Sequence, residues 1–430
     1  MAERKAGANA MLFIFITILI NMIGFGIVMP VMPDLIRDVT GQDLAAAARW
    51  GGYLSLVYAL MQFVMMPILG ALSDHYGRRP VILISLAAFS VDYLIMAVAP
   101  MIGILLVARI LAGALSATFS IANAYIADIS PPEKRAANFG LMGAAFGLGF
   151  IIGPGLGGVI GENFGVRAPF YAVAALGALN FVFGYFVLPE TLKEEDRRPF
   201  EWRRANAFGN FQQFRQYPIM LPIAAALFIS QLAHWTFPSV WSYFAIERFS
   251  WNKAQIGWSL MFVGLMAAIV QGGLTRIVIP KFGERATALF AVSIAIVTYF
   301  CYAFTTNVTV IYALIAISSL AGFTQPAVQG IMSRTIPANA QGELQGAISV
   351  IMSLSMVLGP PVMTQVFAAF TSPGQPITMF GLTLFESGAS IYFPGAPFFL
   401  AGVLAIIGVA PLLVALGRIQ RPRADAPAPA

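Results

Sequence analysis

Residues 70–80 read Gly70-Ala71-Leu72-Ser73-Asp74-His75-Tyr76-Gly77-Arg78-Arg79-Pro80, and this polar stretch separates two long apolar runs. The runs cover residues 51–72 and 80–99, each close to the roughly 20 residues that an α-helix needs to cross a bilayer. A charged connection with a glycine before and after its acidic residue indicates a tight turn at a membrane surface.

The composition agrees with a membrane protein. Of 430 residues, 59% are hydrophobic and 10% are charged, and the mean hydropathy of +0.80 excludes an ordinary soluble domain. A net charge of +6 from so few charged residues is weak support for nucleic-acid binding. One cysteine (Cys301) and two histidines (His75 and His234) disfavour a disulfide, a metal site or a metal cofactor. Without a catalytic motif, we expect no enzyme.

Twelve apolar runs are long enough to span a membrane. They cover residues 10–31, 51–72, 80–99, 102–127, 137–160, 168–188, 217–245, 254–278, 285–304, 308–332, 343–370 and 395–418. Of the 25 Lys and Arg residues, nineteen lie on the side shared by both termini, five lie on the other side, and Arg109 lies inside the fourth run. Because basic loops stay in the cytoplasm, we expect an integral protein of the bacterial inner membrane with both termini cytoplasmic.

An internal repeat with an offset of 206 residues relates the two halves of the chain. Gly77 and Gly283, and the Gly153-Pro154 and Gly359-Pro360 pairs, share this offset. We therefore expect an all-α membrane protein with two pseudo-symmetric six-helix bundles, 1–188 and 217–430, joined by a cytoplasmic linker at 189–216. Two such halves enclose one central cavity, which is the architecture of a transporter.

The 70–80 loop resembles the cytoplasmic loop signature of the major facilitator superfamily. The loop is suited to a gate, because Gly70 and Gly77 permit a tight turn and Asp74 can lie against Arg78 and the positive N-terminus of a neighbouring helix. We interpret Asp74, Arg78, Asp128 and Arg135 as an inward-side latch that holds the outward-open state. The predicted gate residues are Gly70, Asp74, Gly77, Arg78, Arg79, Asp128 and Arg135. The alternative is ordinary positive-inside loop charge.

The fourth span contains Arg109-Ile110-Leu111-Ala112-Gly113, which is similar to the family's intramembrane arginine followed four residues later by glycine. An arginine at this depth needs a counter-ion, and Asp92 is the only carboxylate deep inside any predicted span. Both residues lie about seven positions from the turn at Pro100, so antiparallel helices place them at equal depth. Asp92 and Arg109 are candidates for proton coupling, and a purely structural ion pair is the alternative.

The fifth span carries Gly149-Phe150-Ile151-Ile152-Gly153-Pro154-Gly155-Leu156-Gly157-Gly158. This pattern resembles the antiporter motif of drug:proton exporters, with Gly149, Gly153, Pro154, Gly157 and Gly158 as its small residues. With further matches in the first, seventh and twelfth spans, the chain resembles the tetracycline-resistance-type exporters of the 12-helix drug:proton antiporter group. Those exporters have carboxylates in the first and ninth spans, where this chain has Asn21 and, at the edge of the span, Glu284.

Polar and aromatic side chains within the spans are candidates for lining a substrate cavity, with interhelical hydrogen bonding as the alternative. They are Asn21, Gln62, Asn123, Gln231, His234, Trp235, Gln325 and Gln329. The sequence favours a proton-driven exporter of amphipathic small molecules that acts as a monomer in the lipid bilayer, without a cofactor. A carrier for one metabolite, such as a sugar or a lipid-like compound, and a non-transporting membrane sensor remain alternatives.

Overall fold

The computed structural model describes residues 2–202, 220–335, 341–379, 382–385 and 389–419. Within these ranges, twelve helical segments are long and apolar enough to cross a membrane, which confirms the predicted number of spans. The spans are Ala10–Thr40, Leu44–Tyr76, Arg78–Val98, Ile102–Ile129, Glu133–Phe164, Ala168–Val187, Leu221–Phe249, Lys253–Phe282, Glu284–Phe304, Val308–Arg334, Leu344–Thr371 and Ala396–Gly417. Residues 203–216 of the predicted linker and Pro337 lie outside the described residues.

The first six spans comprise seven α-helices because the fourth span is interrupted. The helices are α1 (Ala2–Thr40), α2 (Leu44–Tyr76), α3 (Arg78–Val98), α4 (Ile102–Leu115), α5 (Thr118–Ile129), α6 (Pro132–Phe164) and α7 (Ala168–Val187). A 3₁₀ turn at Glu194–Asp196 follows α7.

The second six spans comprise nine α-helices. These are α8 (Met220–His234), α9 (Thr236–Phe249), α10 (Lys253–Ile269), α11 (Thr275–Phe282), α12 (Glu284–Phe304), α13 (Val308–Ser318), α14 (Thr324–Thr335), α15 (Gln341–Thr371) and α16 (Ala396–Ile419). A π-helical turn, Val270–Leu274, joins α10 to α11, and a 3₁₀ turn, Ser319–Phe323, joins α13 to α14.

A small antiparallel hairpin that the sequence reading missed lies between α15 and α16. Its strands are β1 (Ile377–Met379) and β2 (Leu382–Phe385), with Met379 opposite Leu382. The β-branched and aromatic residues of this connection favour extended backbone. The remainder of the described chain is helix, turn and loop, in agreement with the predicted all-α class.

Several helices extend beyond the predicted spans, because hydropathy marks only the part that matches the hydrocarbon. The helix α1 continues through Pro30 and Pro33 to Thr40. The helix α2 begins at Leu44, where the Asp43 side chain caps it by accepting a 2.8 Å hydrogen bond from the amide of Ala46.

Gly77 and Gly283 end corresponding helices in the two repeats. Their φ angles are +107° and +80°, which residues with a side chain rarely adopt, and the next helix begins at the following residue in each case. The 206-residue offset between these glycines thus corresponds to the same turn in both halves.

The described residues pack as two compact units. The first lies within Met1–Ala207, Ser239–Leu265 and Pro360–Pro394, and the second within Phe208–Pro238, Met266–Gly359 and Gly395–Ala430. In the first unit, α1 packs along α6, α3 along α7, and α2 along α4. In the second unit, α16 packs against α8 and α12, and α12 also packs against α14. These units are defined by contacts between residues, whereas the predicted bundles 1–188 and 217–430 are defined by the sequence repeat. The boundaries of the repeat therefore stay a prediction.

Each unit has its own apolar core. In the first, side chains from α1, α3, α5 and α6 meet around Phe13, Ile82 and Tyr125. In the second, α8, α12, α14, α15 and α16 meet around Ala288 and Met332. Many large apolar side chains remain exposed, including Phe186 at 79% and Leu179 at 66%. Surfaces of this kind are stable in lipid and not in water.

Two faces of α6 use glycine for close packing. Gly149, Gly153 and Gly157 recur every four residues and lie against the backbone of α1, with a Cβ at Gly153 placed 2.6 Å from the Ile23 carbonyl oxygen. Gly158 lies on another face, against the backbone of α10 at Lys253 and Gly257. The motif therefore packs α6 between two helices.

We expect Gly153→Val to lower the stability of the protein by about 1–3 kcal/mol, because the new side chain overlaps backbone that cannot yield. Gly147→Val is the matched control, since a Cβ at Gly147 in the same helix meets nothing within 4 Å. Thermal unfolding in detergent measures both variants. Equal melting temperatures for the two would contradict the close packing of α1 on α6.

Candidate functional site

The predicted ion pair forms between neighbouring antiparallel helices. Arg109 on α4 donates a hydrogen bond from Nη2 to Oδ2 of Asp92 on α3, and the side chains are only 13% and 6% exposed. The equal depth inferred from the sequence thus brings the two charges together.

The surroundings of this pair are largely apolar and incompletely hydrogen-bonded. The Arg109 guanidinium carbon lies 5.6 Å from the centre of the Tyr58 ring, and Nη2 also lies 2.8 Å from Sδ of Met96. Among the described residues, Asp92 Oδ1 and Arg109 Nε are buried without a hydrogen-bond partner. A buried ion pair with unsatisfied atoms gains less free energy from pairing than a fully hydrogen-bonded one.

A polar cluster next to the ion pair joins α2 to the interruption between α4 and α5. The Ser116 hydroxyl lies 2.9 Å from the Tyr58 hydroxyl and accepts a 3.2 Å hydrogen bond from Nε2 of Gln62. Gly113 permits this approach, because a Cβ there would overlap the Tyr58 carbonyl oxygen. The sequence reading identified Gln62 and missed Tyr58 and Ser116. The signal available was the pair of small polar residues Ser116 and Ser120 one turn apart in the fourth span, which is weak.

The loop at residues 70–80 carries an ionic network. Arg78 pairs with Asp74 one turn earlier and reaches Oδ2 of Asp128 on α5 at 3.3 Å. It also donates a 2.8 Å hydrogen bond to the Ser73 hydroxyl. Asp74, Arg78 and Asp128 therefore come together as predicted.

Arg135 does not join this network in the structure. Its Nε donates to the Ser130 carbonyl oxygen at 3.2 Å, so it closes the turn between α5 and α6 instead. The prediction rested on its position next to Asp128 along the chain, and the turn at Pro131 directs the two side chains to different partners. Arg79 turns to the end of α7, where Nη2 donates to the Tyr185 carbonyl oxygen at 2.7 Å. Gly70 lies on α2 with no atom near the position of a Cβ.

Glu190 is a loop residue that the sequence reading placed only in the polar linker. Its carboxylate accepts hydrogen bonds from the amides of Arg78 and Arg79 at 2.9 and 3.1 Å, and from those of Thr191 and Leu192 at 3.0 and 3.1 Å. The first two amides belong to the first turn of α3, where a carboxylate is favoured by the helix dipole. Glu190 thus fastens the end of α7 to the start of α3.

A second group of charged residues, Asp34, Glu162 and Lys253, joins α1, α6 and α10. Lys253 Nζ lies 3.2 Å from Asp34 and 3.6 Å from Glu162, and its amide donates to Glu162 at 3.3 Å. Nearby, the Ser242 hydroxyl donates to the Met29 carbonyl oxygen at 2.7 Å. These contacts hold neighbouring ends of the first, fifth, seventh and eighth spans together within the first unit.

The predicted cavity residues lie in both units. In the first, Asn21 donates to the Thr17 carbonyl oxygen, Gln62 to Ser116, and Asn123 is exposed. In the second, Gln231 contacts Sδ of Met352, Trp235 packs over Gly359, and His234 is exposed, while Gln325 and Gln329 are half-buried on α14. Their role in a shared cavity stays a prediction.

Comparison with known proteins identifies a family and several relatives of this chain. Residues 14–360 match the family described as Major Facilitator Superfamily. The tetracycline resistance protein, class C, of Escherichia coli is 39% identical over 85% of this chain and 91% of that protein. The class G protein of Vibrio anguillarum is 35% identical over 81% and 88%. A crystal structure of a bacterial homologue of the human lysosomal transporter Spinster, inward-facing and occupied, superposes with a TM-score of 0.75 at 16% identity, over 95% and 96% of the chains.

The twelve membrane-length helices of the described chain and these similarities define a membrane transporter of small molecules and not an enzyme. The chain belongs to the Major Facilitator Superfamily.

We expect Glu190→Ala to destabilise the start of α3 by about 1 kcal/mol, because two amides lose their acceptor. Trypsin should then cut faster after Arg78 in the detergent-solubilised protein. Glu195→Ala is the control, since Glu195 is 76% exposed and pairs only with Lys193 among the described residues. Equal cleavage of the two variants would show that Glu190 does not hold this loop.

Proposed function

We propose that this protein is a proton-coupled exporter of amphipathic drugs in the bacterial inner membrane, with both termini in the cytoplasm. The observation that carries the proposal is the Asp92–Arg109 pair, buried between two spans in a chain 39% identical to a tetracycline resistance protein. The proton gradient supplies the energy, no cofactor takes part, and the protein acts as a monomer in the lipid bilayer without a nucleic-acid partner.

Protonation of Asp92 is the coupling step in this proposal. A proton arriving from the outside neutralises the carboxylate and leaves Arg109 as a buried charge without its counter-ion. Breaking a buried pair in this way costs about 3–5 kcal/mol. A free-energy change of about 5.5 kcal/mol converts a 1:99 population of two conformations to 99:1, so the loss of one pair supplies much of the required bias.

The charged groups at the two ends of the first unit are the proposed gates. On the cytoplasmic side, Arg78 holds Asp74 and Asp128, and on the outside Lys253 holds Asp34 and Glu162. Both groups of contacts are formed in this structure. The Arg78 contacts lie among α2, α3 and α5, whereas Lys253 ties α10 to α1 and α6. We therefore expect the Lys253 contacts to part when the protein opens outward, while the Arg78 network stays closed as the inward-side latch.

The substrate is proposed to be a drug with an apolar body and several hydroxyl or carbonyl groups. The amides of Asn21, Gln62, Asn123, Gln231, Gln325 and Gln329, with His234 and Trp235, provide hydrogen bonds and aromatic surface without a full charge. Glu284 does not replace the ninth-span carboxylate of the tetracycline exporters in this proposal, because it is the first residue of α12 and lies at the edge of the span, where it pairs with Arg334 at 3.1 Å. Tetracycline is the first compound to test, and the absence of that carboxylate favours neutral or zwitterionic drugs over cations.

Asp92→Asn should abolish drug accumulation driven by an imposed pH gradient in proteoliposomes, while exchange of labelled for unlabelled drug continues. The reason is that the amide keeps the shape of the site but cannot carry a proton. Asp38→Asn is the control, because Asp38 pairs with Arg167 at a half-exposed position. Drug-coupled proton flux equal to wild type in Asp92→Asn would rule out the proposed coupling role.

Asp74→Asn should slow turnover several-fold with little change in substrate affinity, since Asp74 contacts Arg78 in the loop and lies far along α2 from Tyr58 and Gln62. Initial rates of uptake into everted vesicles over a range of drug concentrations separate the two parameters. Asp196→Asn serves as the control, because Asp196 is exposed in the segment that follows α7. A selective loss of affinity with unchanged maximal rate would contradict a gate role.

A further inference from the structure

The interruption of the fourth span lies between the proposed proton site and the cytoplasmic gate. Ser116 has φ −83° and ψ 74°, and Ala117 has φ −115° and ψ 4°, so neither residue continues the α-helix. The Ser116 amide bonds to the Gly113 carbonyl oxygen at 3.3 Å, three residues back instead of four. Such a break in a membrane helix is tolerated only where side chains satisfy the freed polar groups.

On one side, the break is fastened to the ion pair. The Tyr58 ring lies over the Arg109 guanidinium, and the Tyr58 hydroxyl lies 2.9 Å from the Ser116 hydroxyl. Tyr58 therefore contacts both the charge that responds to Asp92 and the residue at which α4 ends.

On the other side, the short helix α5 reaches the gate. Its twelve residues span about 18 Å. Near its end, the Tyr125 hydroxyl donates to the Pro189 carbonyl oxygen at 2.9 Å. Asp128 accepts hydrogen bonds from Arg78 at 3.3 Å and from the Thr191 hydroxyl at 3.2 Å. A change in the direction of α5 at Ser116 thus displaces the groups that hold the loop at residues 70–80.

We propose that Tyr58 and Ser116 are positioning residues that transmit the protonation state of Asp92 to the cytoplasmic gate through α5. When Asp92 is neutral, Arg109 leaves its place under the Tyr58 ring, the hydroxyl pair with Ser116 is released, and α5 changes direction at the break. This inference rests on the proposed proton coupling and assigns to two uncharged residues the step that links the proton to the gate.

A similar hydroxyl pair in the second unit provides a matched control. The Tyr302 hydroxyl lies 2.9 Å from the Ser318 hydroxyl, immediately before the 3₁₀ turn that interrupts the tenth span. Residues 285–335 of the ninth and tenth spans contain no acidic residue, so the two spans that carry this pair supply no carboxylate within that range. The two pairs have the same chemistry and distance, and the first lies against the Arg109 guanidinium.

The test compares Tyr58→Phe and Ser116→Ala with Tyr302→Phe and Ser318→Ala in proteoliposomes. Tyr58→Phe keeps the ring over Arg109 and removes only the hydroxyl. Drug-driven proton movement should fall about tenfold in both variants of the first pair, as expected for loss of a typical hydrogen bond, while drug exchange stays within about twofold. The variants of the second pair should show wild-type coupling. Ser116→Thr, which keeps a hydroxyl, should retain the coupling that Ser116→Ala loses. Normal coupling in both Tyr58→Phe and Ser116→Ala would overturn the inference.

A second measurement does not depend on transport. In the full-length protein at constant pH, Asp92→Asn should change amide hydrogen exchange across residues 118–129, and this change should disappear when Ser116→Ala is also present. Persistence of the change in the double variant would overturn the proposed path. If Asp92→Asn leaves proton coupling intact, the proposed function is wrong. If Asp92→Asn loses coupling but the Tyr58 and Ser116 variants keep it, only the present inference is wrong.

Discussion

The ion pair between Asp92 and Arg109 is the constraint on which the rest of the first unit depends. A charge in the bilayer interior is expensive unless it has a partner, so α3 and α4 must lie side by side at one register. The pair places Tyr58 over the guanidinium, and Gly113 lets α2 approach closely enough to do so. Asp92 Oδ1 and Arg109 Nε are nevertheless buried without hydrogen-bond partners in the described chain, so the pair is incompletely hydrogen-bonded.

Different physical interactions act in different parts of this unit. At the loop formed by residues 70–80, Arg78 and Glu190 connect the start of α3 to α5 and to the end of α7. Elsewhere in the unit, glycines of α6 bring it against α1 and α10, and Lys253 bridges two carboxylates. Close packing can be maintained while the few ionic contacts exchange, since packed helix pairs move as rigid bodies whereas exposed ion pairs are individually weak.

Much of the fold could be predicted from the sequence because the membrane imposes simple rules. Hydropathy marked twelve spans, and the spacing of Asp92 and Arg109 from Pro100 placed them at one depth. The sequence reading failed where an outcome depended on the direction of a side chain. Arg135 bonds to Ser130 and not to the predicted latch, and Glu190, read as a linker residue, caps a helix 112 positions earlier. The hairpin at 377–385 and the break at Ser116 left too short a signal to be recognised.

The sequence by itself determined the number of spans and the pairing of Asp92 with Arg109, because both follow from the cost of placing charge or unpaired backbone in lipid. Only the tertiary structure decided which uncharged groups surround that pair. Tyr58, Gln62 and Ser116 come from two spans, and their meeting depends on the interruption of α4 and on the absence of a side chain at Gly113. Such contacts arise from the packing of whole helices, and no local pattern of residues encodes them.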